Sequence, residues 1–191
     1  MMNYLNRLCI HSGGKDGKQF VYVTDEKFPE SLRYDITDGI PLEIPEKITL
    51  DLKNTTKIYP DFMGSTEHFP IVSEKLKQLL ESLPDSEHLQ FFECELTNGK
   101  TDKKYYYLNI LHNIECLDRE QSECRFDEDN PEIVWRIFKL VMKMDKVADR
   151  NIFRMQEYKS SIFISSFLEK RLKEENITGY KTGESEDLRE D

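Results

Sequence analysis

The sequence predicts an α+β fold, a mainly antiparallel sheet flanked by two short helices, and three stretches carry that prediction. Leu89–Leu96 and Lys104–Leu111 are rich in β-formers and are joined by Thr97–Lys103 (TNGKTDK), whose Asn-Gly pair signals a hairpin turn. Leu76, Leu79, Leu80 and Leu83 recur at i, i+3, i+4 and i+7, the spacing of one buried helix face. Ser166 and Glu169 form the S-x-x-E pattern that opens a second helix, with Leu168 and Leu172 one turn apart. At 191 residues the chain can build one sizeable core. The usual scaling has such a chain bury about 70% of its unfolded surface. A single domain, or two closely packed halves, is expected. Only 38% of the residues are hydrophobic, and 11 Phe and 9 Tyr compensate with large buried areas per side chain.

In chain order, Gln19–Thr24 (QFVYVT) reads as a strand, and the three glycines of Ser12–Lys18 suit a hairpin turn before it. Between Phe28 and Phe69 four prolines break the chain into short strands such as Ile48–Leu52, with proline kept to edges and turns. Ser73 caps the first helix, over about Glu74–Ser82, and Pro84 stops it. Tyr105, Tyr106 and Tyr107 suit an aromatic strand with one ring turned opposite to its neighbours. Ile114–Leu117 leads into Asp118–Glu132, which holds seven carboxylates against two arginines. Ile133–Met142 (IVWRIFKLVM) is apolar and β-branched enough for a central strand, with a helix as its competitor. Ile152–Met155 and Ser161–Ile164 are short strands, and the second helix covers about Phe167–Glu175. Residues 1–60 form a β-rich part, 61–180 the rest of the domain, and 181–191 an acidic, fraying tail.

Composition narrows the function classes. A net charge of -10 repels a phosphate backbone and argues against DNA or RNA as a ligand. It suits a basic protein partner. No apolar run approaches the roughly 18 residues of a transmembrane helix, and the first residues lack a secretory h-region, so the protein is expected to stay in the cytoplasm, off the membrane. Cys9, Cys94, Cys116 and Cys124 lack the dense spacing of a secreted scaffold and read as reduced, mostly buried thiols.

Motifs for a cofactor fail on spacing. Gly13, Gly14 and Gly17 with Lys15 and Lys18 suggest a phosphate loop, but Lys18 stands where the second glycine belongs. Asp127, Asp129 and Asn130 suggest a calcium loop, but Glu132 occupies the glycine position and Phe138 the closing glutamate position. His112 and Cys116 would meet on a helix but not on a strand, and no C-x-x-C completes a tetrahedral site. His11, His68, His88 and His112 are scattered, and pairs such as Glu93 and Glu95 arise by chance among 37 acids. No catalytic residue, metal or cofactor is expected.

Several junctions follow one another in a telling order. Asp61-Phe62 precedes Val72-Ser73 at the head of the first helix. Leu117-Asp118 and Ser122 follow a strand. Phe153-Arg154 lies in a later strand, and Ile162–Ile164, Ser165–Glu174 and Thr178-Gly179 close the series. In this order, from near Pro60 to Tyr180, the chain resembles the immunity proteins of bacterial polymorphic toxin systems, a family long annotated only as a domain of unknown function. The resemblance departs after Gly179, where an apolar last strand is short or missing, and is loose before Pro60. It implies a protein that neutralises a cognate toxin by binding, with no catalytic residues. A general protein-interaction adaptor and an enzyme of unknown chemistry are the rival readings. The contact surface expected for a basic toxin is the acidic run, specifically Asp118, Glu120, Glu123, Asp127, Glu128 and Asp129, because loops held by a rigid sheet carry binding residues. Asp118 has a second role open to it, bonding its own turn.

Overall fold

In the computed structural model, which describes residues 5–10, 22–24, 36–44, 48–53, 58–65, 69–99 and 101–183, the strands sort into three sheets. Strands β1 (Leu5–Ile10), β10 (Ile152–Arg154), β11 (Ile162–Ser165) and β12 (Tyr180–Gly183) form an antiparallel sheet in the order β10-β11-β1-β12. A six-stranded sheet contains β2 (Tyr22–Thr24), β3 (Ile48–Lys53), β6 (Leu89–Thr97), β7 (Tyr105–Ile110), β5 (Ile71–Ser73) and β4 (Phe62–Met63), side by side in that order. Its pairs are antiparallel except β3 with β6. The third sheet is a ribbon of β8 (Glu123–Phe126) and β9 (Val134–Lys139). With helices α1 (Glu74–Glu81) and α2 (Ser166–Glu174), this is an α+β architecture of mostly antiparallel sheets, as expected.

Helix α1 forms where the leucine spacing places it. The Ser73 hydroxyl accepts the Leu76 N–H at 3.3 Å, and Leu76, Leu79 and Leu80 are buried. Burying each such leucine contributes about 1.5–3 kcal/mol. They meet Leu168 and Leu172 of α2, Tyr106, Leu108 and Ile110 of β7, and Ile152, Ile162 and Ile164 of the four-stranded sheet. The void left in this core is about 10 Å³, room for one water at most. Tyr105 and Tyr107 point the other way, into a second cluster with Leu50, Met63 and Ile71. Period two along β7 therefore splits the three tyrosines as expected, and Asn98, in the connection between β6 and β7, has a positive φ of 60°.

Three expectations change. The cap of α2 is Ser165, not Ser166: its hydroxyl accepts the Leu168 N–H at 3.1 Å and donates to Asn151 Oδ1 at 2.8 Å. Pairing of β11 holds Ser165 extended and the helix begins at Ser166, one residue earlier than expected, and Glu169 instead accepts from the Thr182 hydroxyl at 2.6 Å. The central strand is β7, buried at all six positions, whereas Ile133–Met142 supplies β9 of the ribbon, which among the described strands pairs with β8 alone. The glycine turn Ser12–Lys18 lies outside the described residues, and β1 and β2 belong to different sheets, so the strands flanking it are not a hairpin. At the other end, β12 pairs Tyr180 with Ile10 and Gly183 with Arg7, so residues 181–183 continue the sheet. The described thiols Cys94, Cys116 and Cys124 are free, and burial pushes those of Cys94 and Cys116 up to about 12.

Candidate functional site

Two polar clamps hold the body of the fold, and three of the junctions meet in the first. Asp61 is buried, and its carboxylate accepts the Ser73 hydroxyl at 2.8 Å, the Thr178 N–H at 3.0 Å and the Thr178 hydroxyl at 2.9 Å. Phe62 N–H donates to the Thr178 carbonyl at 2.8 Å. Gly179 has φ +91°, and a Cβ there would lie 2.1 Å from the Phe62 carbonyl oxygen, so only glycine lets the backbones approach. Asp61-Phe62, Val72-Ser73 and Thr178-Gly179 are thus one junction that ties β4, α1 and β12. The second clamp joins Asp85 to Asn151, whose N–H and side-chain amide each donate to it at 2.7 Å. Arg154, the arginine of the Phe-Arg pair, is buried and donates to the Lys159 carbonyl at 2.7 Å, and desolvation lowers its pKa to about 10, still charged at neutral pH.

The β8–β9 ribbon roots on this body. Val134 N–H donates to the Glu157 carbonyl at 2.7 Å, and the buried Glu157 carboxylate accepts the Leu117 N–H at 3.1 Å. Ser122 hydroxyl and Val141 exchange two bonds, at 3.0 and 2.9 Å. Leu117-Asp118 and Ser122 therefore fix the base of the ribbon.

The acidic residues spread around the ribbon instead of forming one patch. Asp118 and Glu120 lie at the turn before β8, and Asp127, Glu128 and Asp129 in the turn after it. Glu123 stands in β8 opposite Lys139. Asp118 accepts the backbone N–H groups of Glu120 and Gln121, both at 3.1 Å, and the Gln121 N–H is the main reason its pKa is lowered. Asp127 likewise accepts the N–H groups of Asp129 and Asn130, at 3.0 and 2.9 Å, so the calcium-like spacing is a self-bonded turn. Glu120, Glu123, Glu128 and Asp129 are exposed, with Glu128 3.6 Å from Arg125. Asp118 and Glu120 line an open groove of about 840 Å³ that Glu115, Glu132, Glu157, Arg119, Lys143 and Lys146 also line, and Asp127–Asp129 are not part of it. No group of three or more residues suited to hold a metal occurs among the described residues. His112, with φ 59°, has left the strand, and its ring meets His88 with Nδ1 atoms 3.3 Å apart.

The ribbon carries a feature that the composition of Ile133–Met142 concealed. Its register pairs Glu123 with Lys139, Cys124 with Ile137, Arg125 with Arg136 and Phe126 with Val134, slipping twice. Each slip leaves one β9 residue opposite nothing, first Phe138 and then Trp135. The two bulges change the inward period from two to three: Val134, Ile137 and Leu140 pack on the body, while Trp135 and Phe138 stand 59% and 55% exposed. Guanidinium groups lie over both rings, Arg125 4.7 Å from Trp135 and Arg136 5.4 Å from Phe138.

A family model for the immunity protein family (Imm11) matches residues 11–187. The chain belongs to the Imm11 immunity family. No curated protein matches it. Imm11 membership reaches beyond the stretch from Pro60 to Tyr180 in which the junctions are recognisable, taking in the amino-terminal third. In this Imm11 chain the legible junctions build the scaffold, and family membership implies a toxin as partner. No helix among the described residues is long and apolar enough to cross a membrane.

Proposed function

We propose that this chain neutralises a cognate toxin by tight, non-covalent binding, occluding its active site or substrate groove, and that it does so in the cytoplasm as a single binding domain without a cofactor. Membership of the Imm11 family over residues 11–187 is the observation that carries the reading. The acidic residues support a basic partner. Glu120, Glu128 and Asp129 are exposed on turns anchored to the ribbon, in a chain of net charge -10, and fields of this kind speed association with an oppositely charged protein.

Co-expression with the candidate toxin encoded beside this chain tests it, scored by survival and by titrating toxin activity with purified chain. Protection with an endpoint at about one chain per toxin is expected of stoichiometric capture. Loss of toxin activity at far lower ratios points instead to an enzyme, and cell death despite expression of the folded chain sinks the immunity reading for that pair.

A further inference from the structure

We infer that the toxin contact is centred on the outer face of the β8–β9 ribbon, where Trp135 and Phe138 anchor an apolar side chain of the partner and Arg136 and Lys139 receive a partner carboxylate. This rests on the proposed neutralisation by binding and names the surface that performs it.

Exposed aromatics occur singly on many surfaces, but these two are held out by construction. Without the bulges, strict alternation would send Phe138 to the side of Val134 and Trp135 to the side of Ile137, and Val134 and Ile137 both pack inward. One ring would then point into the space beneath the ribbon, Phe138 if Val134 kept its inward place and Trp135 if Ile137 did. Two extra residues in β9 release both rings to the same outer face, at a cost in ladder pairing. Arginine layered on the rings keeps them extended and gives the face the tryptophan, phenylalanine and arginine composition in which binding energy concentrates.

Charge selects the occupant. On the outer face Arg125 has Glu128 at 3.6 Å, while Arg136 and Lys139 have no ion pair among the described residues. A partner carboxylate would satisfy them. Around that centre the balance reverses: from Asp118 to Lys139 there are seven carboxylates and four cations, and Glu120, Glu128 and Asp129 border the face at both ends of β8. That rim fits a basic protein surface and opposes a nucleic-acid backbone, which would otherwise suit aromatics beside arginines. The occupant is therefore a mainly basic protein surface that presents an apolar side chain next to a carboxylate.

Trp135 is the only tryptophan in the chain, so the proposed contact carries its own reporter. The probe is the whole protein encoded beside this chain, purified with its toxic activity silenced, and binding is measured by calorimetry and by Trp135 emission, with tryptophan-free or spectrally subtracted probe. Wild-type binding with a blue-shifted, quencher-protected Trp135 is expected. Trp135→Ala and Phe138→Ala should each weaken affinity about thirtyfold or more, which is about 2 kcal/mol. Arg136→Glu should weaken it at least about tenfold. Melting temperatures of the variants should stay within roughly 2 °C of wild type, because the side chains replaced are exposed. Calorimetric binding with unchanged Trp135 emission, or full affinity in Trp135→Ala and Phe138→Ala, overturns this inference and leaves neutralisation by binding intact. Tighter binding by Arg136→Glu overturns the carboxylate assignment. A response of Trp135 to a single-stranded oligonucleotide in place of the protein makes the face a nucleic-acid platform and overturns the inference. No calorimetric binding by wild type removes the underlying reading for this partner, and the inference with it.

Discussion

Asp61→Ala removes the acceptor on which three segments distant in sequence converge. The Ser73 hydroxyl reaches Oδ1 at 2.8 Å, and the Thr178 N–H and hydroxyl reach Oδ2 at 3.0 and 2.9 Å. A hydrogen bond to a charged group contributes about 1.5–3 kcal/mol, and a buried donor left alone costs about 1–3 kcal/mol. Three bonds on one carboxylate do not add in full, and removing the carboxylate also removes its own desolvation cost, so the net loss should be about 3–4 kcal/mol. For a chain of this length that lowers Tm by roughly 6–16 °C, at 2–4 °C per kcal/mol. Asp61→Asn separates geometry from charge. Its oxygen can still face Thr178 and its amide can donate to the Ser73 oxygen, so it should lose less than half as much. Thermal melts followed by circular dichroism, with urea unfolding for the free energies, measure both variants. A Tm for Asp61→Ala within about 2 °C of wild type would refute the idea that this carboxylate locks the junction. An Asn variant as damaged as the Ala variant would show that charge, not the count of acceptors, matters there.

Leu80→Ala should cost about 2–5 kcal/mol in urea unfolding, because Leu80 is buried between the helices and sheets; a loss below about 1 kcal/mol would mean that the leucine stripe does not face the core as placed. Replacing Glu120, Glu123, Asp127, Glu128 and Asp129 by their amides should leave Tm nearly unchanged, since in Asp127→Asn the side-chain oxygen can still accept the two N–H groups that close the turn. The same variant should associate more slowly with the toxin and show a flatter salt dependence, and a wild-type rate in low salt would reduce these acids to solvated turns. His88 is held below the ordinary histidine value of 6.5, first by burial and then by Arg150, with Glu87 opposing. The unfolded chain therefore takes up that proton first, so His88's contribution is full above that value and declines as pH falls below it. Wild type should lose more Tm than His88→Asn between about pH 7.5 and about pH 5.5, and equal losses would show that His88 carries none of the pH dependence.

Local periodicity was enough to place α1, the β6–β7 hairpin and the opposed faces of the three tyrosines, because i, i+3, i+4 spacing, an Asn-Gly turn and strand alternation act within a few residues. Chain order was enough to suggest the family, since the junctions lie in series along the sequence. What those junctions do was legible only once Asp61 and Thr178, far apart in the chain, met across a shared carboxylate. Non-local pairing also decided that β3 runs parallel to β6, that β1 sits between β11 and β12, and that Ser165 rather than Ser166 caps α2, because β11 holds it extended. The acidic run was visible as composition, yet its residues divide between two turns and a strand, and two of them bond their own backbone. In Trp135-Arg136-Ile137-Phe138-Lys139 an aromatic followed by a cation recurs at a spacing of three, a period that belongs to neither a regular strand nor a helix. That spacing was the available sign of a doubly bulged strand, but apolar content alone favours a buried one. Which way each ring points was settled by the partner strand, since a bulge exists only relative to the register of the strand beside it.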